Sequence, residues 1–155
     1  MQKQSRRLDL SGTQCFGYRN NEQGLRLNTP LFFNLNTESL SRRPDYAMNY
    51  WKSNGAPAEK LVVGFPTYGN TFTLQNPSNT ALGAPTSGPG PAGPYTQEAG
   101  TLAYYEICSL LNSGATQVWD APQDVPYAYK GSTWVGYDNI KSFNIKVQWE
   151  MGMYQ

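Results

Sequence analysis

The residue that is best placed for ligand chemistry is Tyr68, which follows the short apolar run at residues 61–63. An apolar run without alternation is typical of a strand that is buried on both faces of a parallel sheet. Gly64 and Pro66 end this run. In α/β proteins the residues beyond the carboxyl end of such a strand line the ligand site. Tyr68 is therefore a candidate binding residue, although a buried strand with a tyrosine at its rim fits the same pattern.

The residue types exclude several catalytic chemistries. The chain has no histidine, which excludes Ser-His-Asp and Cys-His catalysis and every histidine metal site. Its two cysteines, Cys15 and Cys108, are too few for a metal cluster. They could pair with each other, or each could lack its partner, and sequence alone does not choose. We expect no cofactor and no metal.

Composition limits the class of partner. The 155 residues are enough for one domain with a core, and a net charge of +1 gives no electrostatic reason for binding nucleic acid or an anionic membrane. No apolar run reaches the roughly 18 residues that a membrane span needs. Residues 1–7 lack the apolar core of a signal peptide. We expect a monomer without nucleic-acid or membrane partners.

The first half of the chain alternates between weak and strong patterns. Residues 1–44 are polar and predict loop, whereas residues 45–51 predict a short helix that Asn54-Gly55 ends. A buried strand is predicted at 60–66, and Phe72 and Leu74 alternate with threonines as in an exposed strand. The Pro/Gly/Ser-rich stretch at 77–94 is either a flexible linker or an ordered functional loop.

The second half predicts a helix, three strands and a final helix. Thr96 can cap the first helix, which would carry Glu98 in its first turn and end at residues 112–114. Glu98 could bind a ligand there or be an ordinary helix-end charge. Strands are predicted at 115–119, 125–130 and 133–137, with a hairpin turn at 130–132. Asp138 can cap the last helix, which would run through Trp149.

Many short sequence segments between residues 45 and 143 match, in the same order, segments of a known family. They resemble the C-terminal part of the family-18 glycoside hydrolases, the vertebrate secreted chitinases, and most closely the acidic mammalian chitinases. The matching words lie at residues 45–51, 55–60, 64–69, 93–95, 103–108, 119–122, 125–129 and 134–143.

The resemblance implies an α/β fold, namely an incomplete TIM (β/α)8 barrel fragment that carries the α+β chitinase insertion lobe. It divides the chain into three parts. Residues 1–44 would be a divergent, weakly ordered remnant of the sixth-strand region. Residues 45–68 and 138–155 would be barrel helix and strand segments, and residues 69–137 would form the insertion lobe.

The family hydrolyses β-1,4-linked N-acetylglucosamine polymers, with one glutamate as general acid and the substrate's own acetamide as nucleophile. That glutamate ends an Asp-x-x-Asp-x-Asp-x-Glu motif, and no part of this sequence matches the motif. The resemblance therefore predicts weak binding of chitin or chitooligosaccharide without catalysis, and so no catalytic residue. The alternatives are a truncated, non-functional chitinase-type product and a part of an active chitinase.

The resemblance also implies site residues and a location. Tyr68 and Glu98 match the family's sugar-contacting tyrosine and glutamate, whereas Asn70 stands where relatives carry histidine or arginine. Thr101 stands where some relatives carry a methionine against the sugar, and Asp9 would hold the acetamide. The family's usual partner for the cysteine at Cys108 would lie beyond residue 155. The family is secreted, which implies an extracellular location.

Overall fold

The computed structural model describes residues 8–9, 44–58, 61–62 and 64–153 of the chain. These residues form three helices and eight strands, which occur along the chain in the following order: β1 Leu8–Asp9, α1 Pro44–Ser53, β2 Leu61–Val62, β3 Tyr68–Leu74, β4 Thr86–Pro89, β5 Thr101–Ala103, α2 Tyr104–Asn112, β6 Thr116–Asp120, β7 Val125–Lys130, β8 Thr133–Gly136 and α3 Ile140–Met153. None of the helices in this part of the chain is long and apolar enough to cross a membrane.

The strands form a small parallel pair and a larger antiparallel sheet. β1 and β2 run parallel, with Leu8 opposite Leu61. The antiparallel sheet has the order β4-β3-β8-β7-β6, and β5 pairs with β3 as an additional strand. This combination of barrel-type segments and an antiparallel lobe agrees with the fold class that the sequence predicted.

The parallel pair confirms a buried strand at Leu61–Val62, whereas residues 64–66 of the predicted 60–66 are not in a strand. It also corrects the expectation for the N-terminal region. Leu61 is only 1% exposed and packs with Met48 of α1 and with the half-buried Trp149 of α3. Residues 1–44 were expected to be loop, and this is wrong at Leu8–Asp9, because their backbone pairs with β2. Residues 1–7 and 10–43, to which the rest of that expectation applies, lie outside the described residues. α1 begins at Pro44.

β3 is a central strand, and the expectation that it is exposed is wrong. It pairs with β8 along one edge and with β4 and β5 along the other. Thr71 is 1% and Leu74 3% exposed, because both faces of the strand are covered. Alternation of apolar residues with threonine therefore predicted a strand correctly, but it did not show that the strand is exposed to solvent, since threonine is also common inside sheets.

The two faces of the antiparallel sheet bury separate cores. On one face Trp134 is fully buried and packs with Leu74, Ala84 and Val125. On the opposite face α2 packs its Ile107 against other buried side chains, which are Leu102, Ala128, Val135 and Tyr137. The lobe is thus a three-layer arrangement of loop, sheet and helix.

The Pro/Gly/Ser-rich stretch at 77–94 is part of this architecture, and the flexible-linker alternative is wrong. Its beginning crosses the first core, where the indole N–H of Trp134 donates to the carbonyl oxygen of Thr80 at 3.2 Å. Its middle forms the edge strand β4. Ala84 is buried against the Trp134 core, so the loop provides part of the hydrophobic layer.

The helix after this stretch begins later than predicted. α2 starts at Tyr104, and residues 101–103 form β5 instead of the first helical turn. Thr96 is therefore not its cap, and Glu98 is not in its first turn. The backbone N–H of Ala103 donates to the Glu106 carboxylate at 2.9 Å, which is the capping interaction that the structure shows.

The end of the chain follows the predicted order with one local difference. The hairpin between β7 and β8 is confirmed, with Gly131 at a φ of +57°. Asp138 is not the cap of α3. Instead, Asn139 and Ser142 exchange two hydrogen bonds between side chain and backbone, at 2.9 and 3.0 Å. Asp138 is buried and binds Lys146, which lies eight residues further along the chain in the second turn of α3.

Candidate functional site

The register between β3 and β5 places three predicted site residues on one face of the sheet. Tyr68 lies opposite Ala103, and Asn70 lies opposite Thr101. Side chains alternate along a strand, and directly opposed residues of an antiparallel pair share a face. Tyr68, Asn70 and Thr101 therefore project from the same face, which we call the site face. All three are half-buried, which leaves part of each accessible to a ligand.

The residue between the two β3 side chains explains how this face is kept clear of α2. Gly69 projects to the opposite face, where a Cβ atom would lie 2.8 Å from Ile107 Cδ1 and 2.9 Å from Tyr137 Cβ. Such distances are below ordinary van der Waals contact, so the helix approaches the strand as closely as a glycine allows. Because α2 packs against one side of β3, it does not cover Tyr68 and Asn70, which project from the other side.

Glu98 lies in the loop that leads into β5, close in sequence to Thr101. The N–H of Thr101 donates to the carbonyl oxygen of Glu98 at 3.4 Å, and the Thr96 hydroxyl donates to the carbonyl oxygen of Thr101 at 3.3 Å. The loop takes a tight path with Gln97 at a φ of +53°. The Glu98 side chain is exposed, so the structure places an accessible carboxylate beside the strand that carries Thr101.

A buried glutamate that sequence reasoning overlooked holds this loop. Glu106 Oε1 accepts the backbone N–H groups of Tyr95 and Thr96 at 2.8 and 3.1 Å, and Oε2 accepts that of Ala103. Burial alone would raise the pKa of Glu106, but these hydrogen bonds outweigh it and lower the pKa below its usual value. A glutamate in the third position of a helix was the available signal, since this is the capping-box position.

Close backbone approach completes the anchor. A Cβ atom at Gly93 would overlap the Glu106 carboxylate and lie 2.6 Å from Leu102 Cδ2. Only glycine fits there without displacement. The loop that carries Glu98 is therefore held at the start of α2 by three backbone hydrogen bonds to the Glu106 carboxylate and by the close approach of Gly93 to that carboxylate.

Tyr127 is a second residue that sequence reasoning did not select. It lies opposite Gly136 of β8, which in turn lies opposite Asn70, so Tyr127 also belongs to the site face. Its ring stacks on Trp134 with centroids 5.2 Å apart. Burial raises the pKa of the Tyr127 hydroxyl, and the nearby Tyr129 and Asp120 raise it further. Its alternation with Tyr129 was the signal that could have indicated an aromatic face.

The remaining predicted residues are less fully placed. The backbone of Asp9 lies in β1, opposite Val62, and its side chain lies outside the described part of the structure. Cys108 has no disulfide partner among the described residues, and Cys15 lies outside them. The described ranges contain no group of three or more His, Cys, Asp or Glu residues that could hold a metal ion.

The chain matches the family described as Glycosyl hydrolases family 18 over residues 1–153. It is 54% identical to human chitinase-3-like protein 2 over 105 residues, which is 67% of this chain and 26% of that protein. The chain therefore spans about a quarter of the length of this relative. The expected similarity to acidic mammalian chitinases in particular stays a prediction.

Two solved structures show the same fold. One is human YKL-39, described as a pseudo-chitinase with retained chitooligosaccharide binding properties. It has a TM-score of 0.78 and 46% identity, and the match covers 83% of this chain and 35% of that one. The other is an immunomodulatory active chitinase from Trichuris suis, with a TM-score of 0.81 and 35% identity, over 85% of this chain and 36% of that one.

Proposed function

Since this chain belongs to glycosyl hydrolases family 18, we propose that it is a chitinase-like protein segment that binds chitooligosaccharide without hydrolysing it. Binding takes place on the site face, through Tyr68, Asn70 and Thr101, with the Glu98 carboxylate at its margin. In the whole family fold, Asp9 adds a further contact from β1. The ligand is a β-1,4-linked N-acetylglucosamine oligomer.

The observation that carries this proposal is the register of β3 with β5. It brings Asn70 directly opposite Thr101 and keeps both on the face that α2 does not cover. A tyrosine ring, a side-chain amide, a hydroxyl and a carboxylate together suit a neutral sugar that carries hydroxyl and acetamide groups. The relative human YKL-39 supports the proposal, because it is a pseudo-chitinase with retained chitooligosaccharide binding properties.

The absence of a general acid sets the limit of the proposed activity. The sequence contains no Asp-x-x-Asp-x-Asp-x-Glu motif, and the proton transfer that such a glutamate supplies contributes about 10²–10⁴-fold to rate. The chain alone is therefore proposed to be inactive. A second candidate is that it forms part of an active chitinase, which the match to the Trichuris suis enzyme favours. The third is a truncated product with no role of its own.

Membership of the same family supports a proposed division of the chain. We assign residues 69–137 to the insertion lobe and residues 45–68 and 138–155 to barrel segments, with residues 1–44 as the sixth-strand remnant. Apart from Tyr68, the last residue of a barrel segment and the first of β3, the site face belongs to the lobe, so ligand binding depends mainly on residues that one antiparallel sheet positions. Membership of a secreted family further supports an extracellular location.

Affinity measurements on the full chain test the proposal. Calorimetric titration with chitohexaose should give a dissociation constant of about 1 mM, or about −4 kcal/mol, because the half-buried side chains of the site face bury little of the ligand. Tyr68→Ala and Glu98→Gln should each weaken binding several-fold. Tyr50→Ala is the matched control, since Tyr50 is 54% exposed and lies on α1, which is not part of the antiparallel sheet that carries the site face.

Two further measurements separate the candidates. Cellohexaose, which lacks acetamide groups, should bind at least several-fold more weakly than chitohexaose. Release of short sugars from chitohexaose would contradict the non-catalytic proposal and favour an active enzyme. Equal, weak responses of the unmodified chain, Tyr68→Ala and Tyr50→Ala would favour a product without a saccharide site.

A further inference from the structure

We propose that Tyr95 and Tyr105 form a second saccharide contact outside the site face, where a further N-acetylglucosamine unit of a chitin chain stacks on aromatic rings. We call these two side chains the tyrosine pair. The inference rests on the proposed function, because it extends the saccharide that the site face binds past Glu98. It concerns a different set of residues, however, and it has its own test.

Both rings of the tyrosine pair lie at the protein surface. Tyr95 is 71% exposed and Tyr105 is 55% exposed. Their ring centroids are 5.4 Å apart and their planes meet at 74°, so the edge of one ring contacts the face of the other. Such an edge-to-face contact stabilises both rings. The exposed fractions show that it still leaves more than half of each residue accessible to a ligand.

Glu106 holds the two tyrosines together. Tyr105 precedes it in the first turn of α2, and the backbone N–H of Tyr95 donates to Glu106 Oε1 at 2.8 Å. A Cβ atom at Gly93 would overlap the same carboxylate, so the backbone before Tyr95 also lies directly against it. The loop that carries Tyr95 is therefore fixed beside the start of α2. A surface that is already ordered loses less conformational entropy when a ligand binds.

The same loop connects the tyrosine pair to the site face. Thr96, which follows Tyr95, donates its hydroxyl to the carbonyl oxygen of Thr101 at 3.3 Å. Thr101 lies opposite Asn70 and belongs to the site face. Glu98, the carboxylate at the margin of that face, lies between Thr96 and Thr101 in the sequence. A saccharide that is longer than the site face can thus extend past Glu98 toward the tyrosine pair.

The chemistry of the tyrosine pair favours a neutral sugar. The rings can pack against the C–H groups on one face of a β-linked pyranose, and the two phenol hydroxyl groups can form hydrogen bonds with the sugar. Residues 93–105 contain no lysine or arginine, so this surface has no cation that would attract an anionic ligand. Two tyrosine rings offer at most about 500 Å² of surface. Stable protein interfaces bury roughly 800 Å² on each partner, so the pair suits a sugar ring better than a protein.

Tyr50 and Trp51 of α1 provide an internal comparison. Their rings also meet edge to face, with centroids 6.3 Å apart and planes at 80°. They are 54% and 40% exposed, which resembles the tyrosine pair. They are consecutive residues of one helix, however, and this helix is not part of the antiparallel sheet that carries the site face. The proposal therefore predicts that chitohexaose distinguishes between two aromatic pairs of similar exposure.

A titration of the full chain with chitohexaose, followed in aromatic ¹³C–¹H spectra, tests the proposal. The ring resonances of Tyr95 and Tyr105 should shift, whereas those of Tyr50 should not. Tyr95→Ala should weaken chitohexaose binding by about threefold to tenfold, the range that an aromatic contact usually contributes. Chitobiose is too short to span both contacts and should be less affected by this substitution. Tyr95→Phe keeps the ring and should bind like the unmodified chain, whereas Tyr68→Ala should weaken the binding of both sugars.

The possible failures are distinguishable. If the backbone amides of the site face respond to chitohexaose but the rings of the tyrosine pair do not, this inference is wrong and the proposed function stands. Equal affinities of Tyr95→Ala and the unmodified chain for chitohexaose would lead to the same conclusion. A dispersed spectrum without any response would overturn both proposals. Ring shifts at Tyr95 that follow protein concentration instead of sugar concentration would identify a second copy of the chain as the occupant. If Tyr95→Ala does not fold, the ring shifts of the unmodified chain decide the question.

Discussion

A buried ion pair joins the end of the antiparallel sheet to α3, and its removal provides a quantitative prediction. Lys146 Nζ lies 2.6 Å from Asp138 Oδ1, and the two side chains are 3% and 0% exposed. The Ser142 hydroxyl donates to the same oxygen at 2.7 Å. Because Asp138 follows β8 and Lys146 lies in the second turn of α3, the pair fixes the direction in which the helix leaves the sheet.

Replacing Lys146 by methionine should lower the free energy of unfolding by about 3–5 kcal/mol. Methionine fills a similar volume, so the loss arises mainly from the buried Asp138 carboxylate, which no longer faces a cation. The double variant Asp138→Asn/Lys146→Met removes both charges and should lose less than Lys146→Met alone. Buried pairs are often replaced as a unit with little net cost, whereas breaking one partner is expensive.

The pH dependence provides a second test of the same pair. Burial lowers the pKa of Lys146, and the facing Asp138 carboxylate offsets part of this effect. Between the lowered pKa and the unfolded value of about 10.5, the unfolded chain binds more protons than the folded chain. The stability of the unmodified chain relative to Lys146→Met should therefore increase as pH rises through this window.

Urea unfolding followed by circular dichroism measures these differences, with Gln148→Met as the control, since Gln148 is an exposed residue of the same helix. A change of less than about 1 kcal/mol in the free energy of unfolding for Lys146→Met would contradict this prediction. It would also be contradicted if the changes for Asp138→Asn and Lys146→Met added up to the change measured for the double variant. Additivity would mean that the two charges do not stabilise one another.

Three further predictions concern the lobe. Gly69→Ala should lower the free energy of unfolding by about 1–3 kcal/mol in urea titrations, because its Cβ would lie 2.8 Å from Ile107 Cδ1. Glu106→Gln should speed hydrogen exchange of the Tyr95 amide, which donates to the Glu106 carboxylate. The lowered pKa of Glu106 contributes stability that is present above pH 4.5 and is lost as pH falls through that pKa, and Glu106→Gln should remove this contribution. Trp134→Phe should cost about 1–3 kcal/mol in the same titrations, since it leaves a small cavity and an unpaired carbonyl oxygen.

Local signals in the sequence predicted the parts of the fold that neighbouring residues determine. The apolar run that contains Leu61, the hairpin at Gly131 and the helix ends at Gly55 and Gly114 all follow from short-range backbone preferences. Each of these glycines has a positive φ in the structure, where residues with a Cβ are disfavoured. The order of the last three strands could also be predicted, because short-range signals indicate each strand without knowledge of its partner.

Long-range contacts determine what the sequence did not predict. Leu8–Asp9 is a strand only because β2 pairs with it, and its own residues carry no strand signal. Thr71 is buried because the backbone at Gly90 lies against its side chain and Gly90 and Gly100 both hydrogen-bond to its backbone. Thr96 is not the helix cap, because residues 101–103 pair with β3 as a strand and α2 begins only at Tyr104.

The candidate site shows the same division. Tyr68 could be selected from its position after a buried strand, and the family resemblance added Glu98, Asn70 and Thr101. No pattern within the sequence indicated that Asn70 and Thr101 lie opposite each other, because that register exists only between β3 and β5. Tyr127 was overlooked for a related reason, since Gly136 connects it to Asn70 across a third strand.

A heteronuclear NMR titration of the full chain with chitohexaose would locate the bound saccharide on the protein. We expect shift changes at the backbone amides of Tyr68, Asn70 and Thr101. The amides of α2 around Ile107, on the opposite face, should be much less affected. A dispersed spectrum that does not respond to chitohexaose, or that responds on the α2 side alone, would contradict the assignment of this face as a saccharide-binding site.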